Sequence, residues 1–104
     1  MSGQAGRPLV AVVDDDETAR HSIAQMLRLR GFTVAPFASA EAVLAWPELG
    51  RAACVVTDVK MPGMDGERLL GEIRRRPEAP PVVMVTGHGD VAMAVRCLKA
   101  GAFD

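Results

Sequence analysis

"LVAVVDDDETARHSIAQMLRLRG", residues 9–31, carries two periodicities with four acidic side chains wedged between them. Leu9 to Val13 is an unbroken aliphatic run of strand length, the pattern of a strand buried on both faces. From Thr18 onward Ala19, Ile23, Met26 and Leu27 recur at helical spacing, and Gly31 stands where a left-handed cap closes a helix. The junction poses a question. Two carboxylates about 4 Å apart repel by roughly 4 kcal/mol at an effective dielectric near 20. Asp14, Asp15, Asp16 and Glu17 therefore need solvent, a helix start, a lysine or a cation to offset them.

The same alternation runs along the rest of the chain. "FTVAPF", residues 32–37, predicts a second strand, and Pro36 suits an edge position because it cannot donate to a ladder. Ser39 can cap a helix reaching Trp46, with Glu41 in its first turn. "CVVTD", residues 54–58, is a third apolar strand that closes on a carboxylate. "MPGMDG" breaks the chain, after which Leu69, Leu70 and Ile73 mark a helix ending at Pro77. "PVVMVTG" is a fourth strand, and Asp90 caps a final helix carrying Val91, Ala94, Val95 and Leu98 up to Gly101.

Strands apolar on both faces, each followed by a helix, predict an α/β fold with a doubly wound parallel sheet. Right-handed crossovers give the flavodoxin-like order 2-1-3-4, with a fifth strand normally beyond; a barrel needs far more chain. The pattern also predicts the first and third helices on one face and the second and fourth on the other. One domain over residues 8–104 is expected, behind a loose tail at residues 1–7. No repeat, linker or low-complexity segment interrupts it.

Composition narrows the function classes. A chain of 104 residues with 49% hydrophobic and 24% charged residues supports a single core, and a net charge of −1 offers no footprint for nucleic acid. The Arg74-Arg75-Arg76 run ends a helical pattern, where cations suit the helix dipole. Cys54 and Cys97 read as a reduced, packed pair, which fits a cytoplasmic setting. "MSGQAGRP" lacks the apolar core of a signal peptide, and no run approaches membrane-spanning length.

In a doubly wound sheet, ligands bind beyond the carboxyl ends of the strands where the winding reverses. Here that point lies between strands 1 and 3, neighbours at roughly 4.8 Å. Asp14, Asp15 and Asp16 follow strand 1, Asp58 closes strand 3, and Thr86 and Gly87 close strand 4. Capping accounts for one carboxylate, such as Asp16 or Glu17, but not for several plus a fourth from a distant strand. Mg²⁺ accounts for the cluster: it takes oxygen ligands, keeps waters and needs few carboxylates.

"VVDDDE", "VVTDVKMPGMDG" and "VMVTGHGD…AMAVRCLKAGAFD" resemble, in order and spacing, the receiver domain of two-component response regulators, over residues 9–104. The wording "TGHGD" is nearest to receivers of nitrogen-fixation and dicarboxylate-transport type transcriptional regulators. The resemblance implies that Asp58 accepts a phosphoryl group from a sensor histidine kinase. It implies that Asp14 and Asp15 hold Mg²⁺, with the backbone carbonyl of Lys60, while Asp16 occupies a variable position. Thr86 would bond the phosphoryl group and act as the switch, Gly87 would leave it room, and His88 could modulate access of the hydrolysing water. The implied output is a signalling state controlling transcription, rather than enzymatic turnover.

The family also carries a phosphate-gripping lysine on a fifth strand, and a last helix. Both would lie past Asp104, and Lys99, on the fourth helical pattern, is a poor substitute. The expectation is a C-terminally incomplete receiver, continued by a DNA-binding or ATPase effector domain, or else a homodimer or strand swap that covers the exposed fourth strand. Two other readings compete. One is a receiver-fold interaction module without phosphorylation. The other is a haloacid-dehalogenase-type phosphohydrolase using Asp14, since Asp14, Asp16 and Thr18 spell D-x-D-x-T; its flap hairpin has no room before the first helix. His21 reads as a surface residue, the methionines as packing residues, and Trp46 as a cover for the end of the second helix.

Overall fold

The computed structural model describes residues 7–85, a four-stranded parallel sheet with helices on both faces. Its strands are β1 (Leu9–Val13), β2 (Thr33–Phe37), β3 (Cys54–Asp58) and β4 (Val82–Val85). Its helices are α1 (Glu17–Leu29), α2 (Ala40–Leu44) and α3 (Gly66–Arg74). The strand order is β2-β1-β3-β4, as the sequence predicts. The fourth helix, Cys97 and Lys99 lie outside the described residues.

The aliphatic runs are continuous because side chains of a strand alternate between faces and both faces here are covered. Val10 and Val12 of β1 pack with Ile23, Ala24 and Leu27 of α1 and with Cys54 and Val56 of β3. Ala11 and Val13 pack on the other side with Ala40 and Val43 of α2, Val55, and Leu69 and Ile73 of α3. Pro36 sits on β2, at one edge of the sheet, opposite Val12, where a missing N–H costs no ladder bond.

This distribution corrects the expected helix placement. α3 shares a face with α2, and α1 lies on the other. The reason is the winding direction. The step from β1 to β2 runs one way along the sheet, whereas the steps from β2 to β3 and from β3 to β4 both run the other way. Right-handed crossovers in one direction put their helices on one face. Only the first reversal changes sides.

Local chemistry sets the element ends. Gly31, at φ 95°, follows the C-cap Arg30; its N–H donates to Arg28 O at 3.1 Å and the Phe32 N–H to Leu27 O at 3.1 Å. That bonding is a Schellman closure, and Phe32 and Leu27 bury together beneath it. α2 stops at Leu44, short of the expected Trp46. Pro47 pushes Trp46 out of helical conformation, and the Trp46 N–H turns to Val43 O at 3.1 Å. Trp46 packs on Phe37 with ring centroids 5.0 Å apart. An unexpected 3-10 turn, Leu49–Arg51, then drops Leu49 into the core. α3 ends at Arg74 rather than Pro77, and Arg76 reaches back to donate to Leu44 O at 2.7 Å, tying the two helix ends.

Candidate functional site

The ladder register sets the geometry of the sheet's carboxyl edge. Val13 of β1 lies level with Thr57 of β3, so the next residues, Asp14 and Asp58, emerge side by side. Asp14, Asp15 and Asp58 each offer a carboxylate oxygen, and these atoms all lie within 4.8 Å of one another. Asp14 is 5% exposed, Asp58 half-buried and Asp15 exposed. Thr86, Gly87 and His88 lie outside the described residues, although β4 pairs Val85 with Asp58 and so ends beside the cluster. Lys60 is exposed in the connection between β3 and α3.

The crowded acids divide into two roles. Asp16 caps α1, its carboxylate accepting from the Thr18 N–H at 3.1 Å, and so leaves the cluster. The helix begins at Glu17, leaving no space for the flap hairpin that a D-x-D-x-T phosphohydrolase needs. The remaining three acids face one another. Burial, first, raises the pKa of Asp14; the Asp16 N–H bonding to its Oδ1 at 2.9 Å pulls the other way, and the charges of Asp58, Asp15 and Asp16 raise it further.

The set of donors suits a hard cation. Two oxygens on one Mg²⁺, each at about 2.1 Å, are at most about 4.2 Å apart. A spread of up to 4.8 Å needs a small closure or one bridging water, and Mg²⁺ retains waters readily.

Three residues shape the site without belonging to any expected role. Gly66, the first residue of α3, lies against the end of β3. A Cβ there would overlap the Asp58 carbonyl oxygen and stand 3.1 Å from Val59 Cα, while the Gly66 N–H donates to Val59 O at 2.8 Å. The sequence signal was a glycine directly after a capping aspartate, Asp65, which accepts from the Arg68 N–H at 2.9 Å. Thr57, fully buried, donates its hydroxyl to Asp58 O at 3.0 Å, steadying the same carbonyl from within the chain. Arg20 donates to Asp14 O at 2.7 Å. Across from them, the Glu41 carboxylate accepts from the Met64 N–H at 3.4 Å, against Gly63 at φ 75°. His21 is exposed on α1, as expected.

Comparison with known proteins agrees with this edge. The family model described as the response regulator receiver domain matches residues 10–104. The chain is 44% identical over 97 residues to the C4-dicarboxylate transport transcriptional regulatory protein DctD of Rhizobium meliloti (strain 1021), covering 93% of this chain and 21% of that protein. It is 46% identical over 95 residues to the transcriptional regulatory protein FixJ of the same organism, covering 91% and 47%. The chain thus spans less than half the length of these two relatives. The crystal structure of FixJ-N matches with a TM-score of 0.71 at 45% identity, over 90% of this chain and 75% of that one. The Vibrio cholerae chemotaxis protein CheY4 matches with a TM-score of 0.72 at 25% identity, over 86% and 81%. A cluster of acids at the winding reversal, a 2-1-3-4 parallel sheet and a family match over nearly the whole chain converge: the chain belongs to the response regulator receiver domain family.

Proposed function

We propose that Asp58 is a phosphoacceptor, phosphorylated in a Mg²⁺-dependent reaction by the phosphohistidine of a sensor kinase. The observation that carries this reading is the meeting of the Asp14, Asp15 and Asp58 carboxylates within 4.8 Å at the end of β1 and β3. An Asp58 oxygen attacks phosphorus, the P–N bond to the kinase imidazole breaks, and its electron pair leaves with the imidazole nitrogen, which takes up a proton. A bound Mg²⁺ supplies neutralisation of the phosphoryl oxygens. Asp14 and Asp15 would hold that ion with Asp58 and the Lys60 carbonyl.

Thr86 would donate its hydroxyl to the phosphoryl group, Gly87 would leave it room and His88 would tune water access. The acyl phosphate adds close to two negative charges, enough to bias a two-state element. The domain then acts as a signalling switch with at most self-catalysed phosphotransfer and slow self-hydrolysis. A cytoplasmic setting, with an effector domain for transcription joined beyond residue 104, fits the relatives' description as transcriptional regulators.

The test uses acetyl phosphate as donor. With Mg²⁺ the chain should gain the mass of one phosphoryl group, and neither chelation of the metal nor Asp58→Ala should leave that gain intact. Normal uptake by Asp58→Ala would place the acceptor elsewhere.

A further inference from the structure

Asp14 is held at three points. Its N–H donates to Phe37 O at 3.1 Å, its Oδ1 accepts from the Asp16 N–H at 2.9 Å, and its carbonyl accepts from Arg20 Nη1 at 2.7 Å. Two of these attachments come from backbone. The third is the cationic side chain of Arg20, at the close of the first turn of α1, where the backbone N–H of Arg20 donates to Asp16 O at 2.9 Å.

The carbonyl that Arg20 grips belongs to the peptide joining Asp14 to Asp15. That peptide is planar, so fixing its C=O fixes the plane from which the Asp15 backbone continues. Asp15 is exposed and close to two like charges, an arrangement that favours swinging away. A short, charge-assisted bond to the preceding carbonyl opposes that swing, and among the described residues no backbone N–H outside the regular elements reaches that carbonyl. Arg20 is half-buried, in contrast to the exposed Arg28, which lines a shallow cleft with it beside Pro36 and reaches only Val34 O at 3.4 Å.

We infer that Arg20 is a positioning residue for the cation site: through the Asp14 carbonyl it sets the direction of Asp15 and so the spacing of the three acids. This rests on the reading of Asp14, Asp15 and Asp58 as that site. Second-sphere partners of metal ligands typically hold about 10- to 100-fold in affinity, and a loss in that range is expected.

Calorimetric titration of the full chain with Mg²⁺ alone tests it, paired with thermal melts in chelator. Arg20→Ala should bind Mg²⁺ about 10- to 100-fold more weakly. Arg20→Lys, which keeps a cationic donor, should recover most of the affinity, and Arg28→Ala should match the parent. Should Arg20→Ala fail to fold, Arg20→Met retains the apolar stem and should show the same loss. Parental affinity in Arg20→Ala or Arg20→Met overturns the inference. So does an equal loss in Arg20→Lys, or in Arg28→Ala, since either reports general loosening of α1. No Mg²⁺ binding by the parent removes the cation reading itself, and this inference with it; parental binding with silent Arg20 variants removes only the inference.

Discussion

Asp14 shows how one side chain carries both the instability and the use of the site. It is nearly buried, and burial together with the charges of Asp58, Asp15 and Asp16 raises its pKa above the ordinary 3.8, against the opposing bond from the Asp16 N–H. A carboxyl with a raised folded pKa binds more protons folded than unfolded between the two values. Stability in the absence of metal therefore falls as pH rises through that window, starting just above the ordinary carboxyl range. Asp14→Asn removes the charge yet keeps an oxygen to accept from the Asp16 N–H. In chelator at neutral pH this variant should melt a few degrees above the parent, and the gap should close as pH falls towards 3.8. Melts followed by circular dichroism across that range check it. A variant that melts below the parent at neutral pH would show that Asp14 stabilises the metal-free fold.

At the scale of elements, the site depends on how closely α3 approaches the end of β3. Gly66→Ala forces a Cβ into the Asp58 carbonyl, and backbone cannot yield as a side-chain tip can, so about 1–3 kcal/mol of stability should be lost. Because Asp58 moves with its carbonyl, Mg²⁺ affinity should fall as well. Gly31→Ala provides the contrast. Its φ of 95° is costly for alanine, by about 1–2 kcal/mol, but no atom of the described residues lies within 4 Å of a Cβ there and it sits at the far end of α1. Urea melts should show both variants destabilised, and calorimetry should show only Gly66→Ala weakened towards Mg²⁺. Equal affinities in the two would separate α3 docking from the cation site. These glycines also mark what sequence can disclose. Gly31 was readable because the cap it serves is local, next to the helix it ends. Gly66 offers only the local signal of a glycine after a cap, and its close contact stays hidden, since its neighbour is the carbonyl of a residue on another element. The end of α2 was mistaken for a similar reason: Ser39 announced its start, but Pro47 acts on Trp46 and shortens the helix from outside the periodic pattern.

Across the whole molecule, strand order was legible because runs apolar on both faces admit few arrangements, and the convergence of Asp14, Asp15 and Asp58 followed from that order. The helix faces are not legible in the alternation along the chain, because they depend on the direction of each crossover. That direction also locates the chemistry. α1 leaves β1 towards one face and α2 returns to β3 by the other, so the connections part above the β1 and β3 ends and the acids stand in the gap. A fold that leaves like charges in an open gap should gain stability from whatever ion joins them. A ligand bound only by the folded state stabilises it by about 2.7 kcal/mol at one hundred times its dissociation constant, which for a domain of this size corresponds to a rise in Tm of roughly 10–20 °C. The parent should show such a rise with Mg²⁺ over a sodium chloride control of equal ionic strength, which screens the same charges without joining them. A combined Asp14→Asn, Asp58→Asn variant should lose most of it. If salt alone reproduced the rise, or the double variant retained it, the acids would be relieved by screening and no joined cation would be needed to explain their meeting.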